Sequence, residues 1–238
     1  NPENEVMVRI MNHYKFSQKN SLYLQAGKGL LNLGNIQSTF TGKTIFNNAL
    51  VKVSALNQTS IQGPLGQAST APANWVMTDS RLIVDAVNSN TDRGLTLQGT
   101  DTLEIPKSNG VVSITGVMTG TGGLVKSGPG QLNISSSSPN TYAGETVIKA
   151  GTVGLGTLEM NRTGFGKSGK ILMENGARIR MFDNNSDYNQ KATWYITIPE
   201  GSTARIDASS RCNINVSIAG EGTLTYYTPY VRADMVAG

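Results

Sequence analysis

The sequence predicts an all-β chain, a single right-handed parallel β-helix (solenoid) of roughly ten coils with about 20 to 25 residues in each. Three observations predict it. The first is composition: 27 Gly, 22 Asn and only 15% charged residues favour turn-rich β structure over helix bundles. Hydrophobic residues at 38% are still enough to offset the entropy of ordering a core. The second is patterning. Short alternating apolar runs such as LLNL, LTL, TLEI, KILM and ARIRM are each bounded by Gly, Asn, Asp, Ser or Pro, which reads as strand then turn. No stretch shows the apolar recurrence at three and four residues that a helix needs. The third is self-similarity, because Phe40 and Tyr142, Gly42 and Gly144, and Thr44 and Thr146 all stand 102 positions apart.

Taken in order, residues 1–38 read as an N-terminal cap and the end of an earlier repeat unit, with a strand expected over residues 21–25. The opening NPENEV carries neither an initiator Met nor a charged-then-apolar leader, so the chain is expected to be a piece of a longer parent. Residues 39–138 and 139–238 read as two copies of one unit within a single β-helix. GKGLLNLG at 27–34 answers to GPGQLNIS at 128–135, MTGTGGL at 118–124 to IAGEGTL at 218–224, and VMTDSRLIV at 76–84 to LMENGARIRM at 172–181. A sandwich has no reason to repeat itself in sequence, whereas a coil must place its inward residues over those of the coil beneath. In each copy the Thr, aromatic and Gly mark a corner, with Gly42 and Gly144 expected at a backbone angle that a side chain would hinder. After that corner Val147 and Val153 are expected inside and Lys149 outside. In RIRMF, Arg178 and Arg180 are expected on one solvated strand face.

Charge and cysteine count exclude several classes. The net charge is +4 and the basic residues are scattered, which is no nucleic-acid footprint. The single Cys, Cys212, excludes an intrachain disulfide and any multi-cysteine metal site, and its apolar neighbours suggest a buried core residue. No apolar run approaches the ~20 residues of a membrane-spanning helix, so no membrane insertion is expected.

The segment VMTGTGGLVKSGPGQLNISSSSPNTYAGETVIKAGTVGLG at 117–156 resembles the autotransporter-associated β-strand repeat, also called the passenger-associated transport repeat. Gly120, Gly122, Leu124, Lys126, Gly128, Gly130, Leu132, Ile134, Asn140, Thr141, Tyr142, Gly144, Thr146, Ile148 and Gly151 stand at positions matching that pattern. The resemblance implies a parallel β-helix in a bacterial surface or secreted protein, placed at the cell surface or outside the cell. The first copy departs from the pattern at Asn48 and Ala49, where the family prefers Gly. The tyrosine-rich end departs as well, lacking the next Gly-x-Gly-x-Leu.

The residues offer little chemistry. His13 is the only histidine and no Gly-x-Ser-x-Gly turn accompanies it, so no catalytic constellation is found and no enzyme is expected. No cofactor is expected except calcium, for which Asp183, Asn185 and Asp187 offer oxygens at alternate positions. Tyr188 and Trp194 stand where a complete calcium loop has Gly and Glu. The aligned stretch at 85–94 is the second calcium candidate. Trp75, Trp194, Tyr195, Tyr226, Tyr227 and Tyr230 are the aromatics that can stack on sugar rings, and packing at coil corners and over the last coil is the competing role. The expected function is a non-enzymatic structural or adhesive segment, a stalk or passenger scaffold, with glycans or host and cell-surface proteins as partners. A glycan-binding or polysaccharide-lyase-like module is the alternative.

Overall fold

The computed structural model describes residues 21–25, 29–136, 138–156, 164–181, 188–189, 193–208, 212–228 and 235–237. The chain winds into a parallel β-solenoid of about eight turns. Roughly ten were expected, and one long coil accounts for part of the difference. Val51 pairs with Leu82, 31 positions on, because residues 54–74 leave the strand path, whereas Val111 pairs with Gln131, 20 positions on.

Three sheets form the walls. Sheet I stacks Leu22–Gln25, Thr44–Asn47, Trp75–Thr78, Leu95–Gln98 and Met118–Gly120. Sheet II has eleven strands and runs from Leu30–Gly34 through Leu50–Val53, Arg81–Val84, Thr100–Glu104, Gly123–Ser127, Thr146–Ile148, Lys170–Met173 and Trp194–Thr197 to Cys212–Ala219. Tyr188–Asn189 and Met235–Ala237 pair with that last strand. Sheet III stacks Asn88–Thr91, Val111–Ile114, Gln131–Ile134, Thr152–Leu155, Arg178–Met181, Thr203–Ala208 and Thr223–Tyr227. All of these pairings are parallel, so each strand lies over the same wall of the coil before it.

Stacking in register turns period-two alternation into continuous interior columns. On sheet III, Val112, Leu132, Val153, Ile179 and Ile206 lie over one another, and all are buried. On sheet II the column is Val51, Leu82, Leu103, Lys126, Ile148 and Met173. Val153 is inward and Lys149 exposed, as the alternation suggests, but Val147 is not interior. Thr146 and Ile148 take the inward positions, as Thr44 and Phe46 do in the first copy, and the Tyr142 hydroxyl bonds the Thr146 hydroxyl inside the coil at 2.6 Å.

The two sequence copies do not occupy equivalent walls. Thr44 opens a sheet I strand and Thr146 a sheet II strand, while Leu30–Gly34 lies in sheet II and its counterpart Gln131–Ile134 in sheet III. Trp75–Thr78 and Arg81–Val84 occupy sheets I and II, and their counterparts Lys170–Met173 and Arg178–Met181 occupy II and III. The repeat therefore advances the chain by whole turns plus one wall. What it encodes is a corner, usable at either of two edges of the solenoid. Pairing runs unbroken across position 138, with Gln131–Ile134 bonded to Thr152–Leu155.

The corner itself is built alike in both copies. Gln67 donates its N–H to the Phe40 carbonyl at 2.7 Å, and Lys167 does the same to Tyr142 at 2.9 Å. A side chain at Gly66 or Gly166 would strike the Phe40 or Tyr142 ring. Neither Gly42 nor Gly144 has a positive φ, so a left-handed backbone is not what either supplies. At Gly144 the reason is approach: a Cβ there would lie 2.6 Å from the Gly122 carbonyl oxygen, and one at Gly122 would lie 2.5 Å from that of Gly99. Three successive coils thus touch backbone to backbone at this edge.

Candidate functional site

The titratable groups of the interior serve the coil stack. Lys126, fully buried, donates from Nζ to the carbonyls of Ser127 and Gly128 at 2.8 Å and to that of Ala150, a coil further on, at 3.1 Å. Burial pushes its ammonium down to about 8, against the pull of Glu104. Asp101, also fully buried, accepts the N–H groups of Ser80 and Gln98 at 2.9 Å. Burial pushes its carboxyl up to about 6, the two N–H donors oppose that shift, and the charge of Asp79 adds to it. Asn140 accepts from Met118 N–H at 2.8 Å and donates to the Gly164 carbonyl at 3.2 Å, bridging three coils. Arg93 reaches the carbonyls of Gly66 and Ala68 and ties the long excursion to the stack, with desolvation depressing its pKa.

The aromatic candidates divide. Trp75 and Trp194 are each 1% exposed and face the core, so their rings are not offered to a sugar. The indole N–H of each has no partner among the described residues, and Trp194 packs edge-on against Phe165 with centroids 5.1 Å apart. Both tryptophans open a strand. Tyr226 is inward and partly buried on the last described strand of sheet III. Tyr195 and Tyr227 are outward, 51% and 50% exposed, on sheets II and III respectively. Tyr230 and His13 lie outside the described residues, and of Cys212 only its place in a strand is described.

The first calcium candidate, Asp183 with Asn185 and Asp187, lies outside the described residues. The second does not assemble as a loop. Asn88–Thr91 is a strand whose Ser89 and Thr91 hydroxyls turn inward to the carbonyls of Leu56 and Asn57. Asp85 is bound by Lys52 at 2.7 Å and Lys107 at 3.1 Å, which hold its carboxyl below the usual range, and Asp92 is bonded to Thr59. The oxygens of this stretch therefore point to different places and already have donors. No group of three or more His, Cys, Asp or Glu is placed to hold a metal ion among the described residues.

Two further surfaces among the described residues bear on binding. A cleft of 510 Å³ at the edge between sheets III and I is lined by Thr70, Pro72, Asp92, Thr115, Gly116 and Ser135, with one carboxylate among them. The outer face of sheet III carries two columns: Asn88, Val111, Gln131, Thr152, Arg178 and Arg205, and beside it Asn90, Ser113, Asn133, Gly154, Arg180, Asp207 and Tyr227. Arg178 and Arg180 do share this face, as their spacing indicated. Arg178 and Arg205 both pair with Asp207, and the Arg205 guanidinium lies over the Tyr227 ring, 4.6 Å from its centroid.

Sequence reasoning passed over Lys126, Asp101, Arg93 and Asp207 as interior or organising residues. For Lys126 the signal was present, since counting alternate positions from inward Leu124 places it inside.

No protein-family model matches the chain, and no solved structure matches it. The chain is similar to the adhesin BmaC autotransporter of Brucella suis biovar 1 (strain 1330), at 34% identity over 127 residues. The matched part is 52% of this chain and 4% of that protein's length. A likeness to an autotransporter adhesin thus accompanies the parallel solenoid. No described helix is long and apolar enough to cross a membrane.

Proposed function

We propose that this chain is a segment of the exported, surface-displayed part of a bacterial adhesin: a non-enzymatic solenoid of the autotransporter-associated repeat type that holds adhesive surfaces away from the cell. The observation that carries the reading is the likeness to an autotransporter adhesin over half the chain, joined to a solenoid whose described sheets are built of parallel strands stacked coil on coil. At ~4.8 Å per coil such a body gains length cheaply by repetition, and each finished coil is a template for the next. Those properties suit a scaffold that must fold outside the cell. The engagement of Asp85, Asp101 and Asp207 by donors or cations supports a passive surface over a lyase, which needs free carboxylates and a base in one groove.

The test is a paired assay on the 238-residue chain. Beads coated with it should attach to glycan- or matrix-coated surfaces, while polyuronates incubated with it, with and without calcium, should keep their chain length. Depolymerisation at a rate proportional to protein concentration would move the chain to the lyase class. Beads that attach no better than uncoated ones would remove the adhesive part of the reading.

A further inference from the structure

We infer that the outer face of sheet III is a binding site for an extended anionic polysaccharide, a chain of uronate or sulfated sugars lying along the solenoid axis. The inference deepens the adhesive reading and rests on it.

The geometry begins with the rungs. Parallel strands place equivalent residues ~4.8 Å apart up the wall, a spacing close to the length of one hexose, so successive coils can meet successive sugars. The lower rungs of this face present uncharged hydrogen-bonding groups. Gln131 donates to Asn133 at 2.6 Å and Asn133 to Ser113 at 3.3 Å, a linked row of amide and hydroxyl of the kind that meets sugar hydroxyls. Above that row Gly154, itself buried, adds no side chain to the face between Asn133 below and Arg180 above.

Charge then selects the ligand. Arg178, Arg180 and Arg205 stand on two adjacent rungs with one carboxylate, Asp207, among them. Asp207 is mostly buried and is held by Arg178 and Arg205, whose side chains remain 43% and 45% exposed. It therefore orients two guanidinium forks and leaves their outer edges to solvent, while Arg180 is exposed and has no ion-pair partner among the described residues. Guanidinium forks match carboxylate and sulfate oxygens in pairs. At the top, Arg205 covers one face of Tyr227, and the ring, half exposed, offers its remaining surface to the apolar face of a sugar. Amide rungs, oriented guanidiniums and a stacking ring in line along one wall are the chemistry an acidic glycan requires.

The test uses the whole chain against immobilised heparin, polygalacturonate and neutral dextran. Binding is expected to the first two and not to dextran, and is expected to weaken steeply as salt is raised. Arg180→Gln, which breaks no internal ion pair, is expected to weaken binding about tenfold, and Tyr227→Ala to weaken it on both anionic supports. Lys170→Gln removes the same charge from exposed Lys170 on sheet II and is expected to change binding less than twofold. Equal losses from Arg180→Gln and Lys170→Gln would reduce the effect to net charge and overturn the site. Absence of binding to both anionic supports overturns it as well. If beads still attach to protein-coated surfaces in that case, the adhesive reading stands without this site.

Discussion

At the scale of single residues, the stack is held by polar side chains that a sequence reader would place on the surface. Lys126 bonds three carbonyls from a dry position, so Lys126→Met is expected to leave them short of donors and to cost about 2 kcal/mol in denaturation at neutral pH. Its titration gives a second readout. Burial lowers the folded-state value to about 8 from an ordinary 10.5, so the unfolded chain holds the proton more tightly. Stability attributable to this group therefore rises as pH increases from about 8 to 10.5, and the gap between wild type and Lys126→Met should widen over that window. Asp101 acts with the opposite slope: with a folded value of about 6 against 3.8, its contribution is greatest at low pH and diminishes as pH rises through that interval. Tyr142 has a built-in comparison. The first copy has Phe40 there, and Thr44 instead donates its hydroxyl to the Leu65 carbonyl at 3.1 Å. Tyr142→Phe is accordingly expected to fold and to lose only about 1 kcal/mol, the share of one buried hydroxyl pair. A loss several times larger in thermal melts would mean the phenol has a role beyond Thr146.

At the scale of strands and corners, glycines carry two different loads. Gly122 and Gly144 sit where backbones of adjacent coils touch, so Gly122→Ala forces the Gly99 carbonyl aside and should cost about 3 kcal/mol. Gly176 has φ +79 but open space around it, and Gly176→Ala should cost about 1 kcal/mol for the backbone angle alone. Equal melting shifts for the two would contradict the backbone-contact account. This is also where the sequence was most and least readable. Alternation and turn residues revealed the strands and their parallel stacking, because every coil must repeat the pattern of the last. The wall on which each copy falls was not readable, since the corner motif fits two edges of the solenoid equally. The phase of Val147 was hidden too, since Val147 and Ile148 are adjacent apolar residues and alternation alone does not choose between them. For Trp75 and Trp194 the sequence left packing at coil corners and stacking on sugars both open, because composition alone does not say which side of a strand an aromatic takes, and their burial decides for packing. At Arg178 and Arg180 alternation was enough, but the Asp207 that pairs with Arg178 and Arg205 depends on strands more than 20 residues apart.

At the scale of the whole molecule, the chain is a solenoid whose interior is devoted to register and whose walls differ in chemistry. Sheet III has amides below and guanidiniums above, and sheet II carries the Arg81–Glu104 ion pair, with Lys52 reaching Asp85 just past a strand end. A solenoid of this kind unfolds by losing neighbour contacts coil by coil, so substitutions in adjacent coils should couple and those several coils apart should add. The measurement that tests the central claim most directly places the chain between a secretion signal and an outer-membrane translocator barrel in a bacterium. An impermeant antibody and external protease then act on intact cells, and attachment of those cells to a glycan-coated surface is scored. The account predicts a chain labelled from outside, resistant to protease as a folded rod, and an increase in attachment over cells carrying the barrel alone. A chain that stays inside, or that reaches the surface folded and leaves attachment unchanged, would contradict it.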